Sequence, residues 1–318
     1  MQRHKNSHTA LWPPACLLSA ALSLTACPDG GDNASTDGGG GTETERNDNR
    51  NDTSQEPALA RMEFPKVKEG CILLIHTTND QYGINYSVEW DPQRKAQRWS
   101  AYQMDSRTLE KNTTRYTSAT DQYPYDPLLP TDKYLSQDCY WNSGFDHGHI
   151  CPSADRLYSA EANRQTFFLT NMQPQYKAFN GSLSGSDAYK NRWSPWYQLE
   201  EQIRTWANAT TTETLYVVKG GTIEEGMVEE RKVKGEMLVP KHFFAALLLK
   251  NKQGYKAVGF WMEHKDNYET ETPIGSCAVN IETLEGLTGI DFFCNLPDDT
   301  ESKVEKLPVE NVRKAWGI

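Results

Sequence analysis

From Arg61 onward, apolar residues fall in short runs broken by turn residues, and none of these runs approaches the length needed to cross a bilayer. Six runs predict strands: Cys71–His76, Tyr82–Trp90 with clear period-two alternation, Trp99–Met104, Thr214–Lys219, Phe243–Leu249 and Tyr255–Trp261. Their closeness along the chain predicts antiparallel pairing for several of them. The clearest helix begins at Ser194-Pro195, a capping residue followed by proline at the first helical position. It continues through Trp196, Leu199, Ile203 and Trp206, whose helical spacing assigns them to the core. Shorter helices are predicted at Ala160–Gln165, Ile281–Leu287 and Pro308–Trp316. No internal repeat is present, and the pattern predicts one α+β domain over residues 61–318, a central antiparallel sheet flanked by helices.

The amino-terminal pattern is different. Arg3 and Lys5 precede an apolar run from Leu11 to Leu24, followed by Leu24-Thr25-Ala26-Cys27. This is a processed export signal over residues 1–27. Its last four residues resemble a bacterial lipobox, which would lipidate Cys27 and anchor the protein to a membrane; a plain secretory cleavage elsewhere is the alternative. Residues 28–60 are rich in Gly, Asp, Asn, Thr and Ser with almost no apolar content, so they are expected to form a disordered tether. An anchor with an acidic, Gly-rich leash fits a Gram-negative outer membrane.

Charge changes the picture only after it is divided by region. Of the net −10, the signal contributes +2 and residues 28–60 contribute −6, leaving −6 on residues 61–318. A mildly acidic domain does not hold a polyanion through its overall field, so any such binding needs a local basic patch or a metal ion. Seven cysteines are present; Cys16 lies in the signal and Cys27 at the lipobox. The other five, Cys71, Cys139, Cys151, Cys277 and Cys294, allow several pairings, with Cys277–Cys294 preferred for one bridge.

Candidate chemistry is concentrated between Phe145 and Arg204. The segment opens with Asp146-His147-Gly148-His149-Ile150-Cys151-Pro152-Ser153-Ala154-Asp155-Arg156 and continues through Asn171-Met172-Gln173-Pro174-Gln175 and Asn180. It ends with Trp196-Tyr197-Gln198-Leu199-Glu200 and Arg204. In order and spacing these motifs resemble the DNA/RNA non-specific endonuclease family of the Serratia nuclease and endonuclease G type. That family reads Asp-Arg-Gly-His, then Asn-x-x-Pro-Gln with a second Asn nine positions after the first, then a helix Trp-x-x-Leu-Glu. Cys-Pro-Ser-Ala-Asp-Arg after the histidine looks like its Bacteroides lipoprotein branch. The resemblance extends over most of residues 61–290.

The resemblance implies a ββα-metal core and hydrolysis of DNA and RNA phosphodiesters, leaving 5′-phosphate ends. A histidine can accept a proton near neutral pH, which suits His149 to the implied role of general base on water. The implied cofactor is Mg²⁺, with Mn²⁺ the alternative, held mainly by Asn180 and water. A neutral ligand leaves the dication's charge undiminished. Glu200 matches a glutamate that holds water on the metal, and Arg204 a phosphate-contacting arginine on the same helix face; an exposed ion pair between the two is the bland reading. Asn171 matches an asparagine that orders the site, and Asp146 is assigned to orienting it by hydrogen bonding. Trp196 is expected in the core rather than as a stacking platform.

Two departures matter. His147 stands where the family has arginine, so a fixed charge becomes a titratable one. Fifteen residues, Gly181–Pro195, separate Asn180 from Trp196, an apparent insertion that makes Asn191 a substitute for Asn180 as metal ligand. Two other readings stay open. His147, His149 and Cys151 alternate along an extended chain and could together bind zinc; or the domain is a surface-binding lipoprotein impaired in catalysis. A Ser153 hydrolase lacks the glycine pattern of a nucleophile elbow. Oligomeric state is left open, a homodimer included.

Overall fold

The computed structural model describes residues 46–318. In chain order the elements are β1 (Ile72–Thr77), β2 (Ile84–Asp91), β3 (Ala96–Met104), β4 (Asp146–His149), α1 (Ala160–Gln165), β5 (Met172–Gln175), α2 (Lys177–Asn180) and α3 (Pro195–Ala207). They continue with β6 (Thr214–Gly221), β7 (His242–Asn251), β8 (Gly254–Glu263), β9 (Ala278–Val279), α4 (Ile281–Thr288), α5 (Asp298–Glu305) and α6 (Val309–Trp316). Seven strands form one sheet in the order β1-β2-β3-β6-β7-β8-β9, every neighbour antiparallel. Strands β4 and β5 pair separately as a two-stranded antiparallel ribbon.

Both faces of the large sheet are covered. Along β7, Phe243, Ala245, Leu247 and Leu249 join one core, while Phe244, Ala246 and Leu248 join the other. Covering on both sides is why Phe243–Leu249 is a continuous apolar run rather than an alternating one. The first face carries the excursion between β3 and β6, residues 105–213, which contains β4, β5 and α1–α3. The second is packed by Leu59, Phe64, Ile281, Leu284, Phe292, Phe293 and Val304.

The predicted helix at Ser194 forms as read. The Ser194 hydroxyl accepts from the Tyr197 N–H (3.3 Å), Pro195 takes the first turn, and α3 runs to Ala207. Trp196, Leu199, Ile203 and Trp206 all turn into the first core, each contributing about 2 kcal/mol through burial. Helix α1 has the expected bounds. The ribbon strands, α2, β9 and α5 are additions to the predicted map.

Two expectations are corrected. Residues 46–60 are not a disordered tether: Asn47 donates to the carbonyls of Cys294 and Leu296, and Asn49 donates to Asp291 and Glu301. Asn51 is buried and donates to the Pro65 carbonyl (3.0 Å), and Leu59 is buried. Side-chain amides at alternate positions dock the segment by hydrogen bonds, a mode of ordering that low apolar content does not reveal. Residues 28–45, the export signal and Cys27 lie outside the described residues. Cys277 and Cys294 are not bridged, and Cys71, Cys139 and Cys151 are also free thiols. Cys277 packs against the first core, whereas the Cys294 sulfur lies 3.8 Å from the Phe64 carbonyl on the opposite side of the sheet.

Candidate active site

A cleft of about 1120 Å³ opens between the β4–β5 ribbon, the middle of α3 and the loops over residues 115–123 and 138–145. Asp146, His147, His149, Asn180, Glu200 and Arg204 all line it. Ribbon pairing sets the first three: Asp146 opposes Gln175 and His149 opposes Met172. Gly148 lies between them because the ribbon leaves no room, since a Cβ there would stand 2.4 Å from the Gln175 side chain and 2.6 Å from the Gln173 carbonyl.

Asn171 does not reach the cleft. Fully buried, it accepts from the Cys151 N–H (2.9 Å) and donates to the carbonyls of Cys151 (2.9 Å) and Thr166 (2.8 Å). It thereby fixes the backbone two residues beyond His149. The Ser100 hydroxyl on β3 donates to its Oδ1, tying the ribbon to the large sheet.

His149 is packed edge-on to Phe167 (4.8 Å, 85°). Burial, then the nearby Arg115, push its pKa down to about 3, so the ring is neutral. Its Nε2 has no hydrogen-bond partner and is itself buried, although the residue as a whole is partly exposed and lines the cleft. With the His147 main-chain carbonyl favouring a proton on the ring, a proton on Nδ1 leaves the Nε2 lone pair unused.

Asn180 ends α2, and Gly181 takes a left-handed conformation (φ +70°) directly after it. The Tyr197 ring crowds that glycine, 2.6 Å from where a Cβ would stand. The Asn180 Nδ2 donates to Asp146 Oδ2 (2.9 Å), and the Ser182 hydroxyl donates to the same oxygen. A carboxylate only accepts, so the amide nitrogen must face Asp146. No described residue donates to Asn180 Oδ1. Asn191 is corrected as the substitute ligand: its amide is spent bonding both the N–H (2.8 Å) and the carbonyl (3.1 Å) of Leu183, closing the inserted loop away from the cleft.

On α3, Glu200 does not pair with Arg204. It accepts from Lys219 Nζ (3.0 Å), a fully buried lysine on the site-facing side of β6 whose ammonium also lies 4.3 Å from the Trp196 ring centroid. Arg204 donates to buried Asp155 (3.0 Å) and to Glu201 (2.5 Å), partners that hold its charge firmly. His147 is stacked between Tyr123 (3.6 Å, 2°) and Tyr140 (4.3 Å, 23°), with Nε2 3.1 Å from Asp138 Oδ2. Although burial opposes it, the bond from His147 helps keep Asp138 below the usual carboxylate range. With both ring faces covered and one nitrogen engaged, His147 supports the loop carrying Asp138 and Tyr140 rather than standing free to grip a phosphate.

The zinc reading fails on placement. Cys151 is fully buried in the core, its thiol pushed up to about 11 by burial, and it does not line the cleft. Among the described residues, no group of three or more His, Cys, Asp and Glu side chains could hold a metal. A neutral amide oxygen in an open, polar-walled cleft suits a hard cation that keeps most of its water, as Mg²⁺ does. Sequence reasoning missed Arg115 and Lys177, which supply cationic side chains to the cleft, and Lys219 and Asp155, which hold α3's charged residues. Arg115 sits in a loop without periodicity, and Lys219 reads as the end of a strand, so neither carried a signal.

A ribbon and helix set on one face of an antiparallel sheet, presenting a neutral histidine and an amide oxygen to one cleft, define an α+β hydrolase class. A sequence model described as DNA/RNA non-specific endonuclease matches residues 74–299, and the chain belongs to that family. A nuclease of Nostoc sp. is 27% identical over 69% of this chain and 75% of its own. Mitochondrial endonuclease G of Bos taurus is 25% identical over 67% of this chain and 68% of its own. In the crystal structure of the EndoG/EndoGI complex, one chain superposes with a TM-score of 0.55 at 20% identity, covering 71% of this chain and 88% of that one. That likeness is one of fold.

Proposed function

We propose that this protein is a metal-dependent endonuclease that hydrolyses DNA and RNA without regard to base sequence, with His149 as general base. The observation that carries the reading is the unpartnered Nε2 of a neutral His149 on the wall of the same cleft as the undonated Oδ1 of Asn180. Water in the cleft attacks phosphorus while giving its proton to His149 Nε2; the P–O3′ bond breaks, leaving a 5′-phosphate and a 3′-hydroxyl whose proton comes from solvent. Asn180 would hold Mg²⁺, or Mn²⁺ in its place, with Asp146 fixing the amide's orientation and Glu200 ordering water nearby. When bound, the cation supplies positive charge against the phosphoryl oxygens and the leaving oxygen.

Arg115 and Lys177 offer charge to phosphates rather than to base edges, which suits recognition blind to sequence. The export signal and lipobox-like Cys27 would hold this activity at a membrane surface, with Gram-negative outer membrane the setting that the sequence suits.

The test is plasmid and RNA cleavage by the full chain with Mg²⁺ or with chelator, repeated with Asn180→Ala and Asn191→Ala. We expect cleavage only with metal. Asn180→Ala should raise the Mg²⁺ concentration for half-maximal rate at least about tenfold, while Asn191→Ala leaves it unchanged. Cleavage indifferent to chelator, or loss confined to Asn191→Ala, would overturn the assignment.

A further inference from the structure

We infer that Trp141 is a stacking platform for an unpaired nucleobase, so that the cleft prefers single-stranded over duplex nucleic acid. This rests on the endonuclease reading above and names the substrate form. Trp141 lines the cleft and is 72% exposed, although most large apolar side chains of this protein are buried. Its ring has no aromatic partner among the described residues, and its indole N–H makes no hydrogen bond to them. An indole left this open forgoes burial worth about 2 kcal/mol, which makes a functional occupant worth seeking.

The side chain is held on a rigid turn. Cys139 and Tyr140 before it and Phe145 after it are buried. The Tyr140 N–H donates to Asp138 Oδ1 (2.9 Å), the Ser143 N–H to the Tyr140 carbonyl (3.0 Å), and the Phe145 N–H to the Ser143 hydroxyl (3.0 Å). Asn142 and Gly144 both take positive φ (+56° and +87°), closing the turn tightly. The anchor reaches the ribbon as well, since Tyr140 stacks on His147 and Asp138 bonds it. The backbone at Trp141 is thus held at a fixed place relative to the strand that carries His149, and only the side-chain rotamer is left to be ordered on binding.

The occupant follows from the surroundings. The cleft places cationic Arg115 and Lys177 and the hydrolytic side chains around a polar wall, features that take a phosphate chain. A flat π-face beside such a chain matches a base lifted out of a stack, and every base has a face to offer, so the contact adds affinity without reading sequence. In a duplex that face is covered by its neighbours, and reaching Trp141 would require unstacking.

The test compares a thymidylate decamer, the same backbone with every base replaced by a tetrahydrofuran spacer, and relaxed plasmid, using the full chain with Mg²⁺. Wild type should favour the decamer over the base-free chain about tenfold in kcat/KM. Trp141→Ala should lose that preference through KM, leave plasmid nicking within about twofold, and keep the wild-type melting temperature; Trp141→Phe should retain most of the preference. Equal loss on decamer and plasmid, or an undiminished preference in Trp141→Ala, would overturn the inference while leaving the endonuclease reading intact. A wild-type chain that cleaves no substrate would sink that reading first and this inference with it.

Discussion

His147 shows how much a single side chain depends on what covers it. Read in sequence, it replaces a family arginine and puts a titratable group where a fixed charge is expected. Folded, it is a spacer between Tyr123 and Tyr140 that ties Asp138 to the ribbon. A guanidinium is also flat and can stack between the two rings and pair with Asp138, so His147→Arg should fold and keep near-wild-type cleavage with an unchanged pH profile. A variant-to-wild-type rate ratio that changes with pH would contradict this and return position 147 to the phosphate. The motif residues His149, Asn180, Glu200 and Arg204 were legible because their spacing survives in the linear chain. Arg115 and the true partners of Arg204 and Glu200 were not, since these meet only after residues distant in sequence are folded together.

Helix α3 carries the sharpest conflict between stability and chemistry. Glu200 is set at the cleft, yet it also neutralises Lys219, an ammonium with no exposed surface. Glu200→Ala strands that charge and should cost about 3 kcal/mol in denaturant unfolding, the low end for a broken buried pair because Glu200 is partly exposed. Adding Lys219→Met should restore most of the stability, and cleavage should stay impaired. Recovery of activity along with stability would mean that Glu200 serves the fold alone. Helix α3 was legible because one-sided burial imposes a period on it, and β7 because burial on both faces leaves a long apolar run. The ribbon strands Asp146–His149 and Met172–Gln175 were not, because four-residue strands of mostly polar residues have no period to show.

Across the whole molecule, the second face of the sheet is closed by the first described residues together with residues 281–305, while α6 packs on the first face. There Asn49 bridges Asp291 and Glu301, with Glu285 and Glu305 close enough to repel them. Burial, then these neighbours, lift Glu285 to about 7 and Glu305 to about 9. Groups protonated when folded and ionised when unfolded stabilise fully below their unfolded pKa of 4.5, and that stability drains as pH rises through 7 and then 9. His149 and His264, lowered by burial to about 3 and 4, act oppositely and cost stability as pH falls below 6.5. The melting temperature should therefore decline from pH 6.5 to 9, and Glu305→Gln should flatten that decline. A melting temperature that holds or rises over this range would refute the account of the acidic cluster. This arrangement was invisible in sequence because residues 46–51 looked like solvated leash and most of their side-chain partners lie some 240 positions away.

The central claim is that His149, neutral and with Nε2 unpartnered, takes the proton from the attacking water. Its most direct test is the Mg²⁺-dependent turnover of His149→Ala on plasmid DNA at saturating substrate. A fall in kcat of about 10²- to 10⁴-fold is expected, with KM and melting temperature close to wild type. A variant that turns over within a few-fold of wild type would contradict it.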